Sequence, residues 1–211
     1  WKSQLLLDLV KNLRSPQAVQ FHAHLRYAGQ RKILEAKEWL LELDPLLLES
    51  LKPKVVLEDL RQAARATQDL KPLVVPGSKG RVWVRFHRQV DQTGLFLNFV
   101  RQLFGFGLSI QSSAVHTLKD VGVYDWFCLR TEKPVRQIEK WLSLEPGQIV
   151  SPEVRFQSID IMAQEDEEWI LSFKGKDQRG LLLAAAEALA AEDLSVRWAR
   201  VHTWGQQVED I

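Results

Sequence analysis

Val82, Val84 and Phe86 alternate with Trp83, Arg85 and His87, the period-two pattern of a strand with one buried face. A polar loop from Val90 to Thr93 follows. Leu95, Phe96, Phe99, Val100, Leu103 and Phe104 then fall on one face of a helix that Gly105 and Gly107 end. Leu108 to Leu118 predicts a second strand, Lys119-Asp120 a hairpin turn, and Val121 to Arg130 a third strand. Pro134 starts a second helix carrying Val135, Ile138, Trp141 and Leu142, and Glu153 to Ile161 supplies a fourth strand. Along the second strand the apolar parity changes, from Leu108 and Ile110 to Ser113, Val115 and Thr117. One extra residue near Gln111, as a bulge or a loop-like start, explains the change.

Much of this pattern occurs twice, at an offset of 86. Asp91-Gln92-Thr93-Gly94-Leu95 returns as Asp177-Gln178-Arg179-Gly180-Leu181, and Val115-His116-Thr117 as Val201-His202-Thr203. Eleven positions between 91 and 117 are identical in the second copy, where unrelated positions would match about one time in 15. The duplication is therefore real, and it sets the architecture. Trp169, Leu171 and Phe173 form the second copy's first strand, one residue out of phase with the first copy, so the first copy's strand-to-helix loop is one residue longer. Val208 and Asp210 match Val123 and Asp125 at an offset of 85, a turn one residue shorter. The parity change recurs near Arg197. The acidic run Glu165 to Glu168 reads as a solvated linker.

The order β-α-β-β-α-β is the ferredoxin-like split unit, with helices over one face of an antiparallel sheet. The second copy lacks most of its third strand, its second helix and its fourth strand, so an open edge beside Trp169–Phe173 is expected, covered by a neighbour or poorly ordered. Ahead of the repeats runs a helical arm. Leu5, Leu6, Leu9, Val10 and Leu13 recur at helical spacing, Ser15-Pro16 starts a second helix, and Ile33, Leu34, Leu40 and Leu41 mark a third. Asp44-Pro45 opens a short turn through Leu46–Leu48. Past Pro53, the residues Val56, Leu57, Leu60 and Ala64 make the last apolar stripe. Pro72 to Gly80, with Pro76-Gly77-Ser78, reads as a linker, and its Gly77-Ser78-Lys79-Gly80 lacks the spacing of a phosphate loop. The expected fold class is α+β: a helical arm followed by tandem ferredoxin-like modules, the second truncated.

Composition narrows the chemistry. The 211 residues carry a net charge of +1 and are 45% hydrophobic, an ordinary globular balance with no basic footprint for nucleic acid. Cys128 is the single cysteine, which excludes an internal disulfide or cysteine zinc site and fits a reducing, cytoplasmic setting. No apolar run approaches the ~20 residues that cross a bilayer. The chain opens on Trp1 and closes on Ile211 inside a strand pattern, as a piece of a longer protein would. His22 and His24, two apart on a helix, diverge and do not share a metal. No catalytic triad, paired carboxylates or metal cluster emerges, so no catalytic residues are assigned.

The repeated loop is where ligand chemistry gathers. Glycine allows positive φ and close backbone approach, and the free amides and dipole of the helix start attract a carboxylate. Asp91 or Asp177 beside them balances an ammonium, a set that suits an amino-acid zwitterion. An equally weighted reading has the aspartate capping the helix and the glycine packing it. The candidate ligand residues are Asp91, Gln92, Thr93, Gly94 and Leu95 with Asp177, Gln178, Arg179, Gly180 and Leu181. By alternation His116 and His202 point off the helix-covered face, onto a sheet face that is exposed or covered by a partner.

The loop resembles that of ACT domains, small βαββαβ modules that sense amino acids and whose loop usually reads Asp-x-Pro-Gly-Leu-Leu. Asp91-Gln92-Thr93-Gly94-Leu95-Phe96 and Asp177-Gln178-Arg179-Gly180-Leu181-Leu182 replace the proline in both copies. Ala199-Arg200-Val201-His202-Thr203, then Gly205 and Val208-Glu209-Asp210, is similar to the last ACT module of the bifunctional protein-PII uridylyltransferase/uridylyl-removing enzymes. Trp1-Lys2 before Leu5-Leu6 resembles the helix after that family's HD hydrolase domain. The resemblance implies an arm at 1–71, a first ACT domain at 81–161 and an incomplete second one at 166–211. It further implies glutamine as ligand, ACT–ACT pairing within or between chains, and the PII protein as the parent enzyme's partner. The nucleotidyltransferase and hydrolase domains, with their Mg, would lie outside this chain. Other readings are an ACT domain of another metabolic enzyme, a structural dimerisation module, and, with less support, an RNA-binding module of the same strand order.

Overall fold

The computed structural model describes residues 39, 42–77, 80–145, 147–165, 168–196, 198–204 and 207–210. The helices expected before residue 39, and His22 and His24 with them, lie outside the described residues. Helices α1 (Pro45–Ser50) and α2 (Pro53–Arg65) lead into β1 (Leu73–Pro76), β2 (Arg81–Arg88), α3 (Leu95–Gly105), β3 (Ser109–Leu118), β4 (Gly122–Arg130) and α4 (Val135–Leu142). Then come β5 (Ser158–Glu165), β6 (Glu168–Lys176), α5 (Leu181–Ala191), β7 (Trp198–Trp204) and β8 (Gln207–Asp210). The strands form one eight-stranded antiparallel sheet in the order β1-β2-β4-β3-β7-β8-β6-β5. The fold is α+β, as the periodicity predicts, and compatible with ferredoxin-like modules.

The strand order reads as two mirrored halves, and the register at their seam makes the relation a two-fold one. Ser112 pairs with His202 and His116 with Trp198, while Ala114 pairs with Arg200, its own counterpart at the offset of 86. Within the halves, Phe86 pairs with Asp125 as Phe173 pairs with Asp210, and Thr117 with Val123 as Thr203 with Val208. The first strands are thus offset by 87 and the third by 85. The longer first loop and the shorter second turn are both present, as the parity argument requires. The register shift between Ile110 and Ser112 puts the extra residue at Gln111. In the second copy β7 begins only at Trp198, a loop-like start, and Arg197 itself lies outside the described residues.

Three expectations need correction. Glu153 to Ile161 does not give the first repeat a fourth strand: the strand there is Ser158–Glu165, and it pairs with β6 of the second repeat. It covers the edge beside Trp169–Phe173 that the truncated pattern leaves open. Glu165 and Glu168 face each other across the tight turn of that hairpin, so the acidic run is a strand end and not a linker. Leu73–Pro76 is likewise a strand, hydrogen-bonded to β2. Four residues ending in Pro-Gly carry too short an alternation to separate from a linker. Each repeat therefore borders its first strand with a strand that precedes it in the chain.

Both faces of the first half are buried. Phe86, Phe99, Leu103, Val115, Phe127 and Ile138 pack between sheet and helices in a core that runs on into Leu183, Ala186 and Ala199 of the second repeat. On the opposite face Leu47, Val56, Leu57 and Leu60 of the arm cover Trp83, Ala114, Tyr124 and Trp126. β2, expected to be half-buried, is buried on both sides because of that arm. At roughly 1.5–3 kcal/mol per fully buried aliphatic side chain, Leu47, Val56 and Leu60 alone make α1 and α2 an integral layer.

Polar groups fasten the arm. The Arg85 guanidinium donates from Nε (2.9 Å) and Nη2 (2.8 Å) to the Asp59 carboxylate of α2, and Tyr124 Oη donates to the same carboxylate at 2.8 Å. Two imidazoles complete the seal. His116 Nε2 accepts from the Asp44 amide (2.8 Å) while its Nδ1–H donates to the Tyr124 carbonyl (3.1 Å). His87 Nδ1 accepts from the Leu70 amide (3.1 Å) and its Nε2–H donates to the Val121 carbonyl (2.9 Å). An amide only donates and a carbonyl only accepts, so both rings are neutral with defined tautomers. Burial lowers both pKa values, that of His116 to about 4. His116 does point off the helix-covered face, but the chain's own arm covers it, at 3% exposure.

Candidate functional site

The two repeated loops share one backbone design. Gly94 (φ 80°) and Gly180 (φ 92°) take the left-handed conformation just before α3 and α5. Leu95 N–H bonds to the Gln92 carbonyl and Asn98 N–H to that of Gly94; Leu181 and Ala184 repeat this with Gln178 and Gly180. No side chain caps either helix. The reading in which the aspartate is the cap therefore fails: Asp91 Oδ2 instead accepts from Thr117 Oγ1 at 3.0 Å. The next two amides of each helix, those of Phe96 and Leu97 and of Leu182 and Leu183, have no acceptor one turn back and keep their capacity for an anion.

The seam packs α3 against α5 so that the end of one helix meets the start of the other. Arg101 Nη2 reaches Glu187 Oε1 at 2.9 Å, a bond between equivalent positions of the two copies. The Arg179 guanidinium lies over the Phe104 ring, 5.0 Å from its centroid. Gly180 also serves packing, because a Cβ there would overlap Pro152 and press on Phe104.

Here a cavity of about 320 Å³ opens. One wall is Asp177, Gln178, Arg179, Gly180 and Leu181, continued by Leu182 and Leu183; the other is Val100, Phe104 and Gly107 to Ile110 of the first repeat. All five candidates of the second loop thus line one cavity. The five of the first, Asp91, Gln92, Thr93, Gly94 and Leu95, are not part of its lining and sit at the other end of the helix pair. The wall from the first repeat was missed in sequence. Its one signal is Gly107, a positive-φ glycine (71°) at the α3 terminus, where backbone comes close to the Arg179 side chain.

A second acidic position lies behind the first loop. Asp125, on β4, is buried and accepts from the His116 amide at 3.1 Å. Burial holds its carboxyl well above the usual carboxylate range, and the nearby Asp91 charge adds to this. Among the described residues no three His, Cys, Asp or Glu side chains gather as a metal site, and no helix is long and apolar enough to cross a membrane.

Two proteins of one name are similar to this chain along its whole length. The bifunctional uridylyltransferase/uridylyl-removing enzyme of Cupriavidus metallidurans is 26% identical over 253 aligned residues, covering 100% of this chain and 29% of that protein. The enzyme of the same name from Aromatoleum aromaticum is 25% identical over 249 residues, with the same coverage. The chain thus spans less than a third of the length of these relatives. No protein-family model matches the chain, and no solved structure does.

Proposed function

We propose that this chain is the regulatory part of an enzyme that uridylylates and deuridylylates the PII nitrogen-regulatory protein, built as tandem ACT modules that sense glutamine. The observation that carries this reading is the cavity at the seam, formed by the repeated loop of one copy and the helix end of the other. Its volume lies at the small end of the ~300–1,000 Å³ typical of ligand pockets, suited to a free amino acid. The α5 amides would take the carboxylate and Asp177 the ammonium. A ligand held by both copies binds one arrangement of the pair better than another, and that difference is the coupling energy a sensor needs. The arm, sealed to the first repeat, would carry the change towards the transferase and hydrolase domains, which with their Mg belong to the parent enzyme outside this chain.

Calorimetry with L-glutamine tests the reading. Binding is expected for the 211-residue chain and its loss for Ser109→Trp, which puts a bulky ring at an exposed position of the cavity lining, with the thermal melt of the variant unchanged. Absence of heat at millimolar glutamine rejects it. A role as a pairing module is favoured by one feature: β5 ends the sheet with Ile159, Ile161 and Met162 exposed. Light scattering with and without glutamine separates the two. An RNA-binding role is disfavoured, because the first repeat's open sheet face, with Trp83, Tyr124 and Trp126, lies under the arm.

A further inference from the structure

Among the described residues lining the cavity, Arg179 is the only cation and Asp177 the only anion. We propose that Arg179 is the specificity-determining residue of this site, selecting ligands by a free α-carboxylate; the inference rests on the amino-acid-sensing reading above. Its guanidinium has no carboxylate partner among the described residues, although four other cations do. It lies over the Phe104 ring, 5.0 Å from the centroid, and its Nη2 runs beside the bare backbone of Gly107, 3.6 Å from where a Cβ would stand. A cation over a ring face is attracted there, and its N–H edges are left for a planar, bidentate acceptor. A carboxylate fits that fork, and the amides at the start of α5 line the same space. Asp177 stands in the same lining to receive the ammonium. In the first repeat the equivalent position is Thr93, and Phe104 and Gly107 correspond to Ala190 and Asp193. The two loops share a backbone but not a carboxylate reader, so carboxylate selection belongs to the second.

The test is calorimetry on the 211-residue chain with the twenty amino acids, L-glutamine first, and with the α-amide of whichever binds. Wild type should prefer the acid over its α-amide by about tenfold or more, the scale of a charge-assisted pair. Arg179→Gln should weaken the acid by that factor and leave the α-amide unchanged, with Arg179→Lys recovering part of the preference. Arg179→Gln weakening both ligands alike would mean a structural role and overturn the proposal, as would a wild type without preference or a variant that keeps it. In each of those cases the sensing reading survives. Should wild type bind none of the twenty, that reading fails and this inference with it.

Discussion

Truncating Asp59 should expose how firmly the arm is joined to the sheet. Three donors converge on its carboxylate: Arg85 through Nε and Nη2, and Tyr124 Oη. The Arg85 side chain is 3% exposed, and without Asp59 its remaining partner is the Lys71 carbonyl at 3.0 Å. Asp59→Ala therefore leaves a cation stranded in a dry layer, which costs about 3–5 kcal/mol, with roughly 1 kcal/mol more for the orphaned hydroxyl. Against a total stability of about 5–15 kcal/mol that is a large share. For a chain of this size it lowers Tm by roughly 10–20 °C. Urea titration followed by tryptophan fluorescence and by far-UV circular dichroism gives the number. The pair need not be net stabilising, so replacing the set together by Asp59→Leu, Arg85→Met and Tyr124→Phe should restore most of the loss. An Asp59→Ala cost below about 1 kcal/mol, the value of a solvated pair, would refute the buried layer. Additive losses in the combined variant would refute the coupling.

The loop glycines and the histidines give two further outcomes. Gly94→Ala meets open space and should cost only its positive φ, about 1 kcal/mol, whereas Gly180→Ala must also displace Pro152 and Phe104 and should cost clearly more by chemical denaturation. His116 has a folded pKa of about 4, below its ordinary 6.5. The unfolded chain binds the extra proton between these values, so the stability His116 contributes is complete above pH 6.5 and is lost as pH falls towards 4, by roughly 3 kcal/mol. Asp125, raised instead of lowered, contributes with the opposite slope. The comparison is therefore between wild type and His116→Gln, which should be flatter over pH 4–6.5; equal slopes would refute the neutral imidazole.

The sequence made legible what repeats and what alternates. The two loops, the helix faces, the bulge at Gln111 and the unequal loop and turn all leave a trace in spacing, because identical backbones need identical periods. The strands at Leu73–Pro76 and Ser158–Glu165 left little, one cut short by Pro-Gly and the other ending in an acidic run. The covered back face left less. Arg85, His87 and His116 read as an outward set until Asp44, Asp59 and Leu70 reach them from positions 17 to 72 residues away, a distance no periodicity spans. The cavity was half legible for the same reason: one wall is a motif, and the other is ordinary helix end that becomes a wall only across the seam.

A strand that lies against a duplicate of itself, as at Ala114 and Arg200, has an ancestral meaning. When such a module exists as a separate gene product, any change on one side of its contact appears on the other, and its two binding positions stay alike. Fusing the genes releases that constraint, so one side is free to acquire an arginine where its sibling keeps a threonine. Inherited symmetry in the main chain, with asymmetry in the side groups, is how a pair of equal halves comes to differ.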